Sequence, residues 1–231
     1  MRTIEELTDV AEPAWPELRD ELTGAAVPVE VLPTGEATGS ACLHRLQLTA
    51  RSRLGALALH TAGLLVDHGW LRVLGAGDPA RGLLGLLDGA DGSAGPPPAM
   101  LVGYDVLGGR FELNGADPAA LGRPGDPGEL CYFGPDTLGW ENLGCGYGQW
   151  LSWIAGGGTT GFYADLRWPG WEDETRTLAL DQGLAVFPFL WSQEARQDLA
   201  GTSRRAVPVA ELFGSQQDLA AQLDQPDPVS P

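Results

Sequence analysis

The chain reads as an α+β fold with an antiparallel or mixed central sheet and helices packed mainly on one face. Three features of its 231 residues predict this. The N-terminal stretch carries helix start signals and amphipathic spacing. The middle holds strand-sized apolar runs punctuated by glycine turns, and helical periodicity returns after Gly139. Helices and strands grouped in this way, without a regular strand–helix alternation, argue against a parallel doubly wound sheet.

Thr3 followed by Glu6 is a capping-box signature. A second helix begins near Pro13 and Pro16, placing Trp15, Leu18 and Leu22 on one face and stopping at Gly24. VPVEVLP (residues 27–33) alternates as a short strand, and SACLHRLQL (residues 40–48) predicts a helix with Leu43, Leu46 and Cys42 inward. Over residues 54–74, GALALHTAG and LLVDHGWLRVLG divide at Ala62-Gly63 and His68-Gly69 into three expected strands of a meander. DGADGSAGPPPA (residues 88–99) predicts a surface loop, and MLVGYDVLGG with RFELNG predicts a hairpin turning at Gly108-Gly109. ELCYFGPD (residues 129–136) is a further strand. Helices are expected over residues 171–180 and 192–199, and extended pieces in LAVFPFLW and AVPVAEL. These elements make one domain over residues 1–214, with residues 215–231 expected to fray as a tail.

The stretch GWENLGCGYGQWLSWIAGGG predicts a helix from Tyr147 to Ile154, with Tyr147, Trp150, Leu151 and Ile154 on the arc that faces a sheet. Its preceding glycines are expected to allow close approach to that sheet. Cys145 has Leu143 and Tyr147 where a nucleophile elbow needs glycines, so no nucleophile is expected there.

The chain carries 31 acidic residues against 14 basic ones, all arginine, for a net charge of −17. Phosphate neutralisation needs clustered cations, so nucleic acid and anionic membranes are not expected partners, whereas a basic protein would be steered toward the surface. Three cysteines without CxxC spacing and three histidines without His-x-x-x-His spacing predict no metal site and no cofactor. The absence of an apolar leader and of a run long enough to span a bilayer places the expected location in the cytoplasm.

Asp67 beside His68, with Arg72 nearby, is the strongest acid–base grouping, and a turn role for His68 competes with it. Asp105, Asp136 and Glu141 fall at strand ends or turns, and Asp105 or Asp136 is the expected companion of the Asp67/His68/Arg72 pocket. Arg167 beside Trp168 and Trp171 suits either an Arg–Trp stack that receives a partner or one that locks a turn. Arg204-Arg205 is expected to pair with carboxylates such as Glu211.

Taken together, VDHGWLRVLGAG, GGRFELNG, LCYFGPDTLGWENLGCGYGQWLSWIAGG, FYADLRWPGW and SRRAVPVAEL resemble a family of uncharacterised bacterial proteins known only as a domain of unknown function, over about residues 1–214. Residues 100–158 are also similar to the SUKH superfamily, in which a glycine-led strand and a second strand precede an aromatic helix packed on the sheet. Many SUKH proteins neutralise polymorphic toxins. That resemblance implies a non-enzymatic immunity-type protein whose partner is a basic toxin. The alternatives are a small-ligand binder or hydrolase-like enzyme built on Asp67, His68 and Arg72, and a scaffolding protein.

Overall fold

The computed structural model describes residues 1–87 and 97–223, so most of the expected 88–99 loop and the end of the expected tail lie outside the described residues. Strands β1 (Val29–Pro33), β2 (Thr61–Val66), β3 (Leu71–Leu74), β4 (Ala99–Asp105), β5 (Arg110–Asn114), β6 (Glu129–Phe133) and β7 (Trp140–Gly146) form one sheet in sequence order. Every pairing is antiparallel, which settles the expected antiparallel or mixed sheet as antiparallel. The fold is α+β, as the grouping of its elements predicts. A separate hairpin of β8 (Gln182–Phe187) and β9 (Ser203–Pro208) follows.

Register divides the sheet into two chemically distinct faces. One unbroken row runs Val31, Leu64, Val73, Gly103, Phe111, Tyr132, Glu141 across all seven strands. The next row, on the opposite face, runs Glu30, Leu65, Arg72, Tyr104, Arg110, Phe133, Trp140. Period-two alternation keeps these rows on opposite sides.

The first face is covered by α4 (Arg53–His60) and α5 (Tyr147–Ala155), with α2 (Trp15–Thr23) stacked on both. The α5 helix matches the expected aromatic arc: Tyr147, Trp150, Leu151 and Ile154 are buried. Trp150 lies 5.0 Å from the Phe111 ring and over Gly103, where a Cβ would sit 2.9 Å from the indole. Close approach therefore comes from a glycine in β4, not from those before the helix.

Three local expectations are corrected. GALALH is α4 rather than a strand: Ser52 caps it by accepting from the Gly55 amide at 3.0 Å, and residues 53–60 contain no β-branched side chain. The β run begins only at Thr61. WENLGCG, expected as the lead-in to α5, is the edge strand β7, disguised by its glycines and by a register shift against β6 between Glu129 and Cys131. Residues after Gly214 do not begin a tail. Helix α9 spans Val209–Leu223, anchored where the buried Gln216 amide donates to the Leu107 carbonyl at 2.8 Å.

The second face is covered by chain much later in the sequence. The Tyr104 hydroxyl donates to the Leu180 carbonyl at 3.0 Å, the Leu184 amide donates to the Val106 carbonyl at 2.6 Å, and Phe213 of α9 packs on Tyr104 at 5.8 Å. Arg110 lies 4.5 Å from Phe133 and 5.4 Å from both Trp140 and Phe213. No described helix is long and apolar enough to cross a membrane.

Asp105 fixes the β4–β5 turn from the first face. Its Oδ1 accepts from the Leu107 and Gly109 amides, both at 2.9 Å, and its Oδ2 accepts from the Tyr132 hydroxyl at 2.8 Å. Only glycine fits at Gly109, where a Cβ would meet Asp105 Oδ2 at 2.1 Å. Asp105→Ala is expected to lower stability by about 3 kcal/mol or more, since it leaves three buried donors unpaired. Burial pushes the Asp105 carboxyl above the ordinary carboxylate value, against those hydrogen bonds. Folding thus favours the protonated form. That contribution is complete below the unfolded value and is lost as pH rises through the folded one. The stability of the wild type relative to Asp105→Asn should therefore increase as pH falls from about 7 toward 4. Urea melts of the two proteins across that range check the sign.

Candidate functional site

The β2–β3 hairpin turns through three successive left-handed residues, Asp67, His68 and Gly69, with φ of 52°, 61° and 82°. Asp and His tolerate this region better than most side chains, yet each non-glycine residue held there costs on the order of 1 kcal/mol. Surrounding contacts hold the turn. The Asp67 amide donates to the Pro28 carbonyl at 2.7 Å, and the Trp70 amide donates to the Asp67 carbonyl at 3.1 Å. The Asp67 carboxylate pairs with Arg167, both side chains being nearly buried. Arg167 is stacked 4.0 Å from the Trp171 ring and 5.0 Å from Trp70. The Arg–Trp feature of the sequence is thus a lock on this turn. Trp168 belongs to a neighbouring lock: its Nε1 donates to Glu174 at 2.9 Å, and Arg204 lies 4.4 Å from its ring and bonds the same carboxylate. The carboxylate paired with Arg204 is therefore Glu174, not Glu211.

Beside the turn, a cleft of about 460 Å³ opens between the second sheet face and the segment after α7 (Trp171–Arg176). Its sheet side carries Glu30, Leu65 and Arg72, three neighbours in one cross-strand row. Facing them are Thr175, Arg176, Leu178 and Leu180, with His68 at the turn. The Arg176 guanidinium donates to His68 Nδ1 at 2.7 Å, and Arg176 also pairs with Asp173 at 3.2 Å.

Arg72 is the anomaly. It is 1% exposed, and only one of its hydrogen bonds is formed, a 3.4 Å contact from Nη2 to the Ala179 carbonyl. Its Nε and Nη1 have no partner. Among the described residues no carboxylate forms an ion pair with it, although Asp105 and Asp181 act on it from beyond contact. Tyr104 lies 5.6 Å below. Burial lowers the pKa of the guanidinium, which is the expected direction for a desolvated cation.

Of the residues singled out in the sequence, the structure gathers Asp67, His68, Arg72, Arg167 and Trp171 around the turn and its cleft, with Trp168 just behind. The expected companions of the pocket are elsewhere. Asp105 is buried under the first sheet face, and the Asp136 carbonyl accepts from Arg196 at 3.3 Å beside a second cleft of about 370 Å³. Glu141 is exposed on β7 opposite Tyr132. Sequence reasoning missed Glu30, Leu65, Thr175, Arg176, Leu178 and Leu180. The alternation of β1 is a signal for Glu30, but the docking of residues 175–180 leaves none.

The lock itself is testable. Arg167→Met strands the nearly buried Asp67 carboxylate and is expected to lower stability by about 3 kcal/mol or more. Adding Asp67→Asn should restore most of that loss, because the two side chains act as one unit. Urea melts of the four proteins of the cycle check it; additive losses would show that the pair is uncoupled.

Comparison with known proteins agrees with the near full-length resemblance read in the sequence. The chain is similar to YbfG, an uncharacterised protein of Escherichia coli, at 33% identity over 231 residues, covering 97% of this chain and 100% of that protein. It is similar at 33% identity over 193 residues to an uncharacterised protein of Haemophilus influenzae, covering 82% of this chain and 81% of that one. No solved structure matches it at a significant level. A family model matches residues 4–212, and the chain belongs to that family, described as protein of unknown function DUF2625.

Proposed function

We propose that this protein binds a small anionic molecule in the cleft beside the β2–β3 turn, with Arg72 receiving the negative charge. The observation that carries this reading is a buried guanidinium with two unpartnered nitrogens, on a residue that lines the cleft. Burying a cation without a partner costs several kcal/mol, and a fold retains such a group where a ligand completes it. The strained turn beside it supports the same reading, since left-handed non-glycine residues cluster at ligand sites. The reading is one of binding rather than catalysis, because His68 Nδ1 is already engaged by Arg176. The reading is of a cytoplasmic protein, which its three free thiols support.

A second reading, an immunity-type protein that masks a basic toxin, draws on the net charge of −17, which the cleft does not use. Pull-down at low and moderate salt separates the two: a basic partner lost as salt rises supports masking.

Arg72→Met tests the proposal from two sides. Without ligand, the variant is expected to be more stable than the wild type by about 1 kcal/mol or more, because an unpaired buried charge is replaced by a thioether. Carboxylates or phosphate that raise the wild-type melting temperature should leave the variant unmoved. A destabilised variant, together with no protection of the wild type by any anion, would overturn the reading and make Arg72 a packing residue.

A further inference from the structure

We infer that the cleft takes a monocarboxylate with an aliphatic body, and that Glu30 excludes molecules carrying a second negative charge at the far end. This rests on the reading of Arg72 as the anion site and adds the class of ligand.

Charge count comes first. Arg72 is the unpaired cation of the cleft, whereas the charge of Arg176 is already shared between Asp173 and His68. Asp105 and Asp181 already act on Arg72 from beyond contact, so it balances at most one further negative charge. A phosphate dianion would bring a surplus charge into a site already bordered by Glu30. Nε and Nη1 lie on different edges of the guanidinium, so a carboxylate meets Arg72 through a charge-assisted hydrogen bond from one of them.

The body of the ligand follows from what lies between the charged ends. Leu65 occupies the row position between Arg72 and Glu30, and Leu178, Leu180, Val29 and Pro28 line the cleft around it. Two strand spacings separate the backbones of Arg72 and Glu30, about 10 Å. A chain whose carboxylate meets Arg72 thus passes over leucines before reaching a carboxylate of the protein. A neutral or cationic end is tolerated there, and a second carboxylate is repelled. Glu30 is exposed, so solvent screens it and its effect is one of selectivity rather than of binding strength.

Isothermal titration with hexanoate, acetate, adipate, hexyl phosphate and inorganic phosphate tests the inference. Hexanoate should bind the wild type and lose binding in Arg72→Met. Acetate should bind at least about tenfold more weakly, because it buries no methylenes. Adipate should bind at least about fivefold more weakly than hexanoate, and Glu30→Gln should bring the two within about twofold of each other. Glu30 is a surface side chain, so its amide isostere leaves the fold intact, which a thermal melt verifies. Hexyl phosphate or inorganic phosphate binding as tightly as hexanoate, still through Arg72, overturns the carboxylate class while leaving the anion site standing. Equal affinity for adipate and hexanoate in the wild type overturns the role of Glu30. Absence of Arg72-dependent binding by every one of these anions overturns the site itself.

Discussion

The structure depends on how the second face of the sheet is covered. The row Glu30, Leu65, Arg72, Tyr104, Arg110, Phe133, Trp140 mixes cations and aromatic rings, and it is sealed by chain from residue 178 onward. The seal is made largely through backbone groups: carbonyls of Ala179 and Leu180 meet Arg72 and Tyr104, and the amide of Leu184 meets Val106. Apolar side chains of the same segment, Leu184, Val186, Val209 and Phe213 among them, pack into the core beside these bonds. Where the seal stops short, between Leu180 and β1, a cleft remains.

Charge is distributed in two ways across the fold. Asp67–Arg167, Glu174–Arg204 and Glu112–Arg123 each close a cation with a carboxylate, and stacked indoles flank the guanidinium groups. Arg72 has the ring but not the carboxylate, and so does Arg110 in the same row, whose rings are Phe133, Trp140 and Phe213. The contrast is sharpest at Arg72, which is 1% exposed. The strained turn next to it is held by the closed pairs, so the geometry beside Arg72 is stiff.

Much of this was legible in the sequence. Strand alternation and glycine turns located β1, β4, β5 and β6, and the 3.6-residue period located α2 and α5 with the correct inward face. Nearness to Asp67 and His68 pointed to Arg72, and His68-Gly69 announced a turn. The errors have physical causes. Leu and Ala in α4 suit either state when read without their cap, glycines in β7 hide the alternation, and Gly214 marks an interior helix position rather than an end. Pairing of Arg167 with Asp67, a hundred residues apart, and the wall formed by Leu178 and Leu180 arise from docking, which no local pattern encodes. The site was therefore half visible: its sheet side in Arg72 and His68, its opposite wall not at all.

The strict sequence order of the sheet sets an order of assembly. Each strand hydrogen-bonds to its chain neighbour, and the connections are short except between β1 and β2, β3 and β4, and β5 and β6. Loop closure therefore favours the meander before the cover, whose contacts join residues as far apart as Arg72 and Ala179 or Leu107 and Gln216. On a chain growing from its N-terminus, the sheet and the helices of its first face are complete while Arg72 still faces water, fully solvated and without penalty. Desolvation of that cation is deferred to the last steps of synthesis, when the C-terminal segment emerges.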